Sequence, residues 1–92
     1  MQKRLECIVF GRVQGVSYRD FVRDTARGLL LTGTVQNLPD GTVGVVAEGE
    51  EANLKRLTTA LKEQYPFAKV DKVEVSWGTP TGSFSDFRIV HS

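Results

Sequence analysis

Apolar and polar positions alternate near the start of the chain. Across residues 4–10 (Arg-Leu-Glu-Cys-Ile-Val-Phe), Leu5, Cys7 and Val9 fall on one face, the period of two that marks a half-buried strand. Residues 11–15 (Gly-Arg-Val-Gln-Gly) neither extend that strand nor begin a helix readily, and read as a loop. The period then changes. Over residues 18–29, Phe21, Val22, Thr25, Ala26 and Leu29 share one helical face, while Arg19, Arg23 and Arg27 step along the other. Ser17 stands where an N-cap is expected, with Asp20 three residues on in the capping-box position.

Residues 32–37 read as a second strand, 38–41 (Leu-Pro-Asp-Gly) as a turn, and 42–47 as the third strand of the resulting hairpin. Residues 50–64 return to the helical period, with Leu54, Leu57 and Leu61 inward and acidic residues at the N-terminal end, where the helix dipole favours them. In 70–77, Val73, Val75 and Trp77 face one way and Lys72, Glu74 and Ser76 the other. A loop at 80–83 leads to a last strand, 84–90, with Phe87 and Ile89 inward; Trp77 and Phe87 are both expected in the core.

The order βαββαβ with an extra C-terminal strand predicts an α+β fold, a ferredoxin-like sandwich with two helices on one face of an antiparallel sheet. No linker, repeat or low-complexity segment interrupts it, so residues 1–92 read as one domain. In this topology the first two strands run in the same direction, which brings residues 11–19 and Asn37 to one edge of the sheet. The fold by itself selects no function.

Composition removes several classes of function. Twelve basic residues against eleven acidic ones leave a charge of +1, with no general attraction for nucleic acid or anionic membrane. Of the expected open-face positions Glu6, Ile8, Phe10, Lys72, Glu74 and Ser76, one is aromatic, too few for base stacking. Cys7, the only cysteine, lies in an apolar run and reads as a buried structural thiol. One Cys and one His cannot supply a Cys/His zinc site, and Glu48, Glu50 and Glu51 read as helix-dipole and surface charges. No apolar run reaches the length of a membrane span, and residues 1–7 lack the apolar stretch of a signal peptide. The expectation is a cytoplasmic monomer without metal, cofactor, nucleic-acid or membrane partner.

Candidate chemistry gathers at the predicted edge. A loop flanked by Gly11 and Gly15 that runs into a helix N-terminus presents unpaired N–H groups suited to a phosphate, although many such turns bind nothing. Arg19 falls in the first helical turn, where a cation opposes the dipole by about 0.3–1 kcal/mol. Its position is explained by a bound anion or by pairing with Asp20 or Asp24, while Arg23 and Arg27 read as a solvated face. Asn37, just before the turn, either serves turn hydrogen bonding or uses its amide to orient a water. His91, one residue from the C-terminus, reads as part of a frayed tail.

The run from Val9 to Arg19 (Val-Phe-Gly-Arg-Val-Gln-Gly-Val-Ser-Tyr-Arg) resembles the first motif of the acylphosphatase family. The run Gly33-Thr34-Val35-Gln36-Asn37, with Gly41, Val43 and Gly49 following, resembles the second. That resemblance implies hydrolysis of small acyl phosphates to a carboxylate and inorganic phosphate, with phosphate as product and competitive inhibitor. It also implies that amides of Val13, Gln14, Gly15, Val16, Ser17, Tyr18 and Arg19, with the Arg19 guanidinium, hold the phosphate and that Asn37 places the water. Three residues depart from the family pattern: Tyr18 replaces Phe or Met and requires a partner for its hydroxyl, Thr34 replaces an aromatic, and Leu30 replaces a glycine after the helix. A left-handed Leu30 would cost about 1 kcal/mol unless Gly28 ends the helix earlier.

Overall fold

The computed structural model describes residues 1–91; Ser92, the last residue of the expected domain, lies outside the described residues. Its elements follow the expected order: β1 (Gln2–Arg12), α1 (Tyr18–Gly28), β2 (Thr32–Asn37), β3 (Val43–Glu50), α2 (Glu51–Glu63), β4 (Lys69–Gly78) and β5 (Phe87–Ile89). β1 continues past residue 10 because the β1–β4 register shifts between Phe10 and Gly11. Gly11 takes a φ of +132°, and a Cβ there would collide with the Lys69 carbonyl oxygen. This bulge, open only to glycine, re-aims the strand into the loop that follows.

The end of α1 answers the question raised by Leu30. Leu31 N–H donates to the Ala26 carbonyl and Leu30 N–H to that of Arg27, each at 3.0 Å, so the helix closes on a Schellman motif. Leu30 occupies its left-handed position with φ +59° and is 86% exposed. Gly28 ends the helix but does not take over that role.

The strand order is β4-β1-β3-β2-β5. The first four pair antiparallel as expected, while β5 adds parallel to β2 through Gly33–Phe87 and Val35–Ile89, which makes the sheet mixed. β1, β2 and β5 therefore point to the same edge. β5 starts at Phe87 rather than residue 84, because the chain before it is held elsewhere: Thr81 and Gly82 bind Glu48, and the Asp86 carbonyl accepts from Gly33.

Both helices cover the face that carries Leu5, Cys7 and Val9 of β1 and Val43, Val45 and Ala47 of β3. Tyr18, Val22 and Ala26 of α1 and Leu54, Leu57 and Leu61 of α2 complete the core with Phe87. The Tyr18 hydroxyl finds its partner in the Leu61 carbonyl at 2.8 Å, and Thr34 sits outside the core cluster. Burial pushes the Cys7 thiol up to about 12, so it is un-ionised near neutrality. Among the described residues, no helix is long and apolar enough to cross a membrane.

Two burial expectations, for Trp77 and for Glu48, are corrected. Trp77 and Val75 pair with Leu5 and Cys7 on the helix-side face, yet they are 44% and 38% exposed. β4 is an edge strand, and of its residues only Val70 and Val73 pack against the core. Glu48, read from sequence as a surface charge, is buried. Its carboxylate accepts from Thr81 N–H and Gly82 N–H at 3.0 Å, from the Thr81 hydroxyl at 2.9 Å and from Arg4 Nη1 at 2.7 Å. Burial alone would raise its pKa; the donors from Thr81, Arg4 and Gly82 outweigh that and lower it to about 2.

Candidate active site

Where β1, β2 and β5 end, the loop after β1, the first turn of α1, the last residue of β2 and the chain leaving β5 enclose a cleft of about 300 Å³. Among the residues expected at a phosphate, Val13, Gly15, Ser17, Tyr18 and Arg19 line it. Gln14 and Val16 do not: Gln14 turns to the neighbouring hairpin and Val16 packs toward the core.

Gly15 (φ +76°) and Ser17 (φ +61°) are both left-handed, with one residue between them. Local alternation of this kind gathers consecutive N–H groups toward one side, the geometry of an anion nest. Among the described residues, the backbone N–H groups of Gln14, Gly15, Val16 and Ser17 have no protein acceptor. Ser17 holds the N-cap position without the expected capping box, because its left-handed backbone leaves its side chain without a cap hydrogen bond. Asp20 pairs instead with Arg23 at 3.4 Å.

The three arginines of α1 prove to be different. Arg23 pairs with Asp24 at 3.0 Å as well as with Asp20. Arg27 donates to Asp86 and to the Phe87 carbonyl, both at 3.0 Å, and so ties α1 to β5 rather than forming the solvated charge expected from sequence. Arg19 lines the cleft, as does Asp20, and has no ion-pair partner among the described residues; both nearby aspartates pair with Arg23.

Asn37 ends β2 opposite Val43 of β3 and lines the cleft from the other side. Its Oδ1 is buried and has no hydrogen-bond partner among the described residues. Leaving such an atom unsatisfied costs about 1–3 kcal/mol, so it is a group that calls for a donor. The hairpin carrying it is braced to the loop. Gln14 Nε2 donates to the Leu38 and Thr42 carbonyls at 2.9 and 2.8 Å, and Thr42 donates from N–H and hydroxyl to Asp40 at 3.0 and 2.6 Å. The hydrogen bonds from the Thr42 side chain and backbone hold the Asp40 carboxyl below the usual range.

His91 was not expected here. β5 runs parallel to β2, and Val90 N–H donates to the Val35 carbonyl at 2.9 Å, which carries Ile89 and His91 into the lining of the cleft. The direction of the extra strand was the missing signal. Among the described residues, no group of three or more His, Cys, Asp and Glu is arranged to hold a metal ion. A larger hollow of about 450 Å³ between the helices, lined by Thr25, Leu29, Arg56 and Ala60, contains neither the donor loop nor the unsatisfied amide, so size does not select the site.

Comparison with known proteins places the chain in a family. The acylphosphatase family model matches residues 5–89. An acylphosphatase of Dehalococcoides mccartyi is 48% identical over 88 residues, covering 95% of this chain and 97% of the relative. One from Thermus thermophilus is 48% identical over 79 residues, covering 86% and 90%. The crystal structure of an acylphosphatase from Bacillus subtilis superposes with a TM-score of 0.91 at 39% identity, over 96% of this chain and 98% of that one.

Proposed function

The chain belongs to the acylphosphatase family and hydrolyses acyl phosphates, and on that premise we propose that loop amides and Arg19 hold the phosphoryl group while Asn37 places the attacking water. The observation that carries this reading is the buried, unpartnered Oδ1 of Asn37, which shares one cleft with Arg19 and the loop of unpaired N–H groups.

The chemistry needs little more. Phosphoryl transfer through a loose transition state asks for held equatorial oxygens and a nucleophile in line. Amides of residues 13–19 and the guanidinium of Arg19 supply those donors, and the guanidinium can bind two oxygens at once. A water donating to Asn37 Oδ1 keeps a lone pair for phosphorus. The water oxygen bonds to phosphorus as the bond from phosphorus to the acyl oxygen breaks, and the carboxylate departs with that electron pair. A carboxylate is a stable anion at neutral pH, so it requires no protein acid. The water's proton passes to an oxygen of the phosphoryl group, which removes the need for a protein base.

The reading extends to a small-molecule substrate, a metal-independent reaction, and inorganic phosphate as a product that competes for the same cradle. It also includes a cytoplasmic monomer, in line with the single buried thiol and the chain's near-neutral charge. Benzoyl phosphate hydrolysis in a chelator-containing buffer tests it. The expected outcome is turnover unaffected by the chelator, competitive inhibition by phosphate, and loss of turnover in both Arg19→Ala and Asn37→Ala. A folded protein that binds phosphate without turnover would instead be a phosphate-binding module.

A further inference from the structure

The loop has a support in a residue that does not itself line the cleft. Tyr65, just after α2, donates from its hydroxyl to the Val16 carbonyl at 2.6 Å. Its ring is fixed: it stacks on Phe21 at 4.9 Å and meets Tyr18 and Phe67 edge-on at 6.0 and 5.5 Å. These contacts join the start of α1 to the end of α2. Tyr65 does not line the cleft, whereas Ser17 does.

We propose that Tyr65 is a positioning residue that aims the Ser17 amide at the substrate phosphate by holding the Val16 carbonyl on the opposite side; this rests on the loop-amide reading above. The peptide between Val16 and Ser17 is trans, so its C=O and N–H point in opposite directions within one plane. Capturing the carbonyl behind the loop therefore directs the N–H into the cleft. That orientation needs a holder, because Ser17 is a non-glycine residue in the left-handed region. Without the hydroxyl, the peptide can rotate and relieve Ser17, and the amide turns away.

Tyr65→Phe keeps the ring and removes only the donor. The expected result is a rise of about fivefold in both KM for benzoyl phosphate and Ki for inorganic phosphate, with a smaller change in kcat. The Ser17 amide resonance, displaced by phosphate in the wild type, should respond much less in the variant. A merely structural Tyr65 would lower thermal stability and leave KM, Ki and the amide response of the folded enzyme unchanged, and that result would overturn the proposal. If phosphate displaces no loop amide even in the wild type, the loop-amide reading fails and takes this proposal with it. Displacement of the wild-type loop amides, with unchanged phosphate binding by Tyr65→Phe, would reject the role of Tyr65 alone.

Discussion

At one end of the sheet, the N–H groups of Thr81 and Gly82, the Thr81 hydroxyl and the Arg4 guanidinium surround the carboxylate of Glu48. At the other end, the N–H groups of residues 14–17 and the guanidinium of Arg19 present the same kinds of donor with no protein acceptor among the described residues. The ingredients match: a loop with a left-handed glycine, Gly82 or Gly15, and an arginine on a neighbouring element. The difference is where the anion comes from. Glu48 is supplied by the chain, so its nest contributes stability and anchors the segment before β5. The loop after β1 leaves its donors without a protein acceptor among the described residues, which on the proposed reading suits an oxyanion from solution, and Gln14 and Tyr65 brace it from outside the cleft.

The largest expected effect separates the two ends by activity. Arg19→Ala should lower kcat/KM for benzoyl phosphate by about 10³-fold or more and weaken inhibition by phosphate, the scale expected for an arginine on a transferring phosphoryl group. Asn37→Ala should lower kcat by about 10²-fold while Ki for phosphate stays within about twofold, since the proposed role has Asn37 meet the water rather than the anion. Equal loss of turnover and phosphate binding in Asn37→Ala would mean that its role is to shape the loop. Neither variant should shift the thermal midpoint as far as a change at the Glu48 end.

Glu48→Gln reverses that pattern. Removing the charge should cost about 2 kcal/mol and lower Tm by about 10 °C, with KM of the folded enzyme unchanged. The acid dependence follows from the same carboxyl, held at about 2 in the fold against an ordinary 4.5. Between those values the unfolded chain binds the proton first, so the contribution is complete above about 4.5 and declines as pH falls toward 2. Chemical denaturation across that range should show a shallower decline in Glu48→Gln than in the wild type. Parallel declines would remove Glu48 as the cause.

The smallest effect lies near the Glu48 end as well, where Leu30 borders the same hollow as Glu48 and Thr81. Leu30→Gly relieves a left-handed leucine and should raise stability by about 1 kcal/mol, read as a Tm increase of about 5 °C. Activity should not change. A destabilised Leu30→Gly would show that the leucine side chain contributes more through contact than its backbone loses.

Much of this was legible in the sequence. Alternation in β1 and the helical period of α1 were strong enough to locate both elements, and the β-α-β order was enough to bring the loop after β1 to the same edge as Asn37. The three arginines of α1 were harder. Arg23 is taken by Asp20 and Asp24 of its own helix, whereas only the tertiary fold decides that Arg27 reaches Asp86 and that Arg19 lines the cleft. Trp77 was misplaced for a related reason: its alternation gives the correct face but says nothing about whether β4 is central or outer.

The sequence by itself determined the elements, their order and the motif residues, because periodicity, glycine placement and turn chemistry act over a few residues. Tertiary structure alone decided which donors were already taken. Glu48 and Thr81 are 33 residues apart, Tyr65 and Val16 are 49 apart, and His91 reaches the cleft only because β5 runs parallel to β2. Hydrogen-bond satisfaction is a property of the assembled fold, and in this protein it separates the donors that Glu48 occupies from those after β1 that no protein acceptor takes among the described residues.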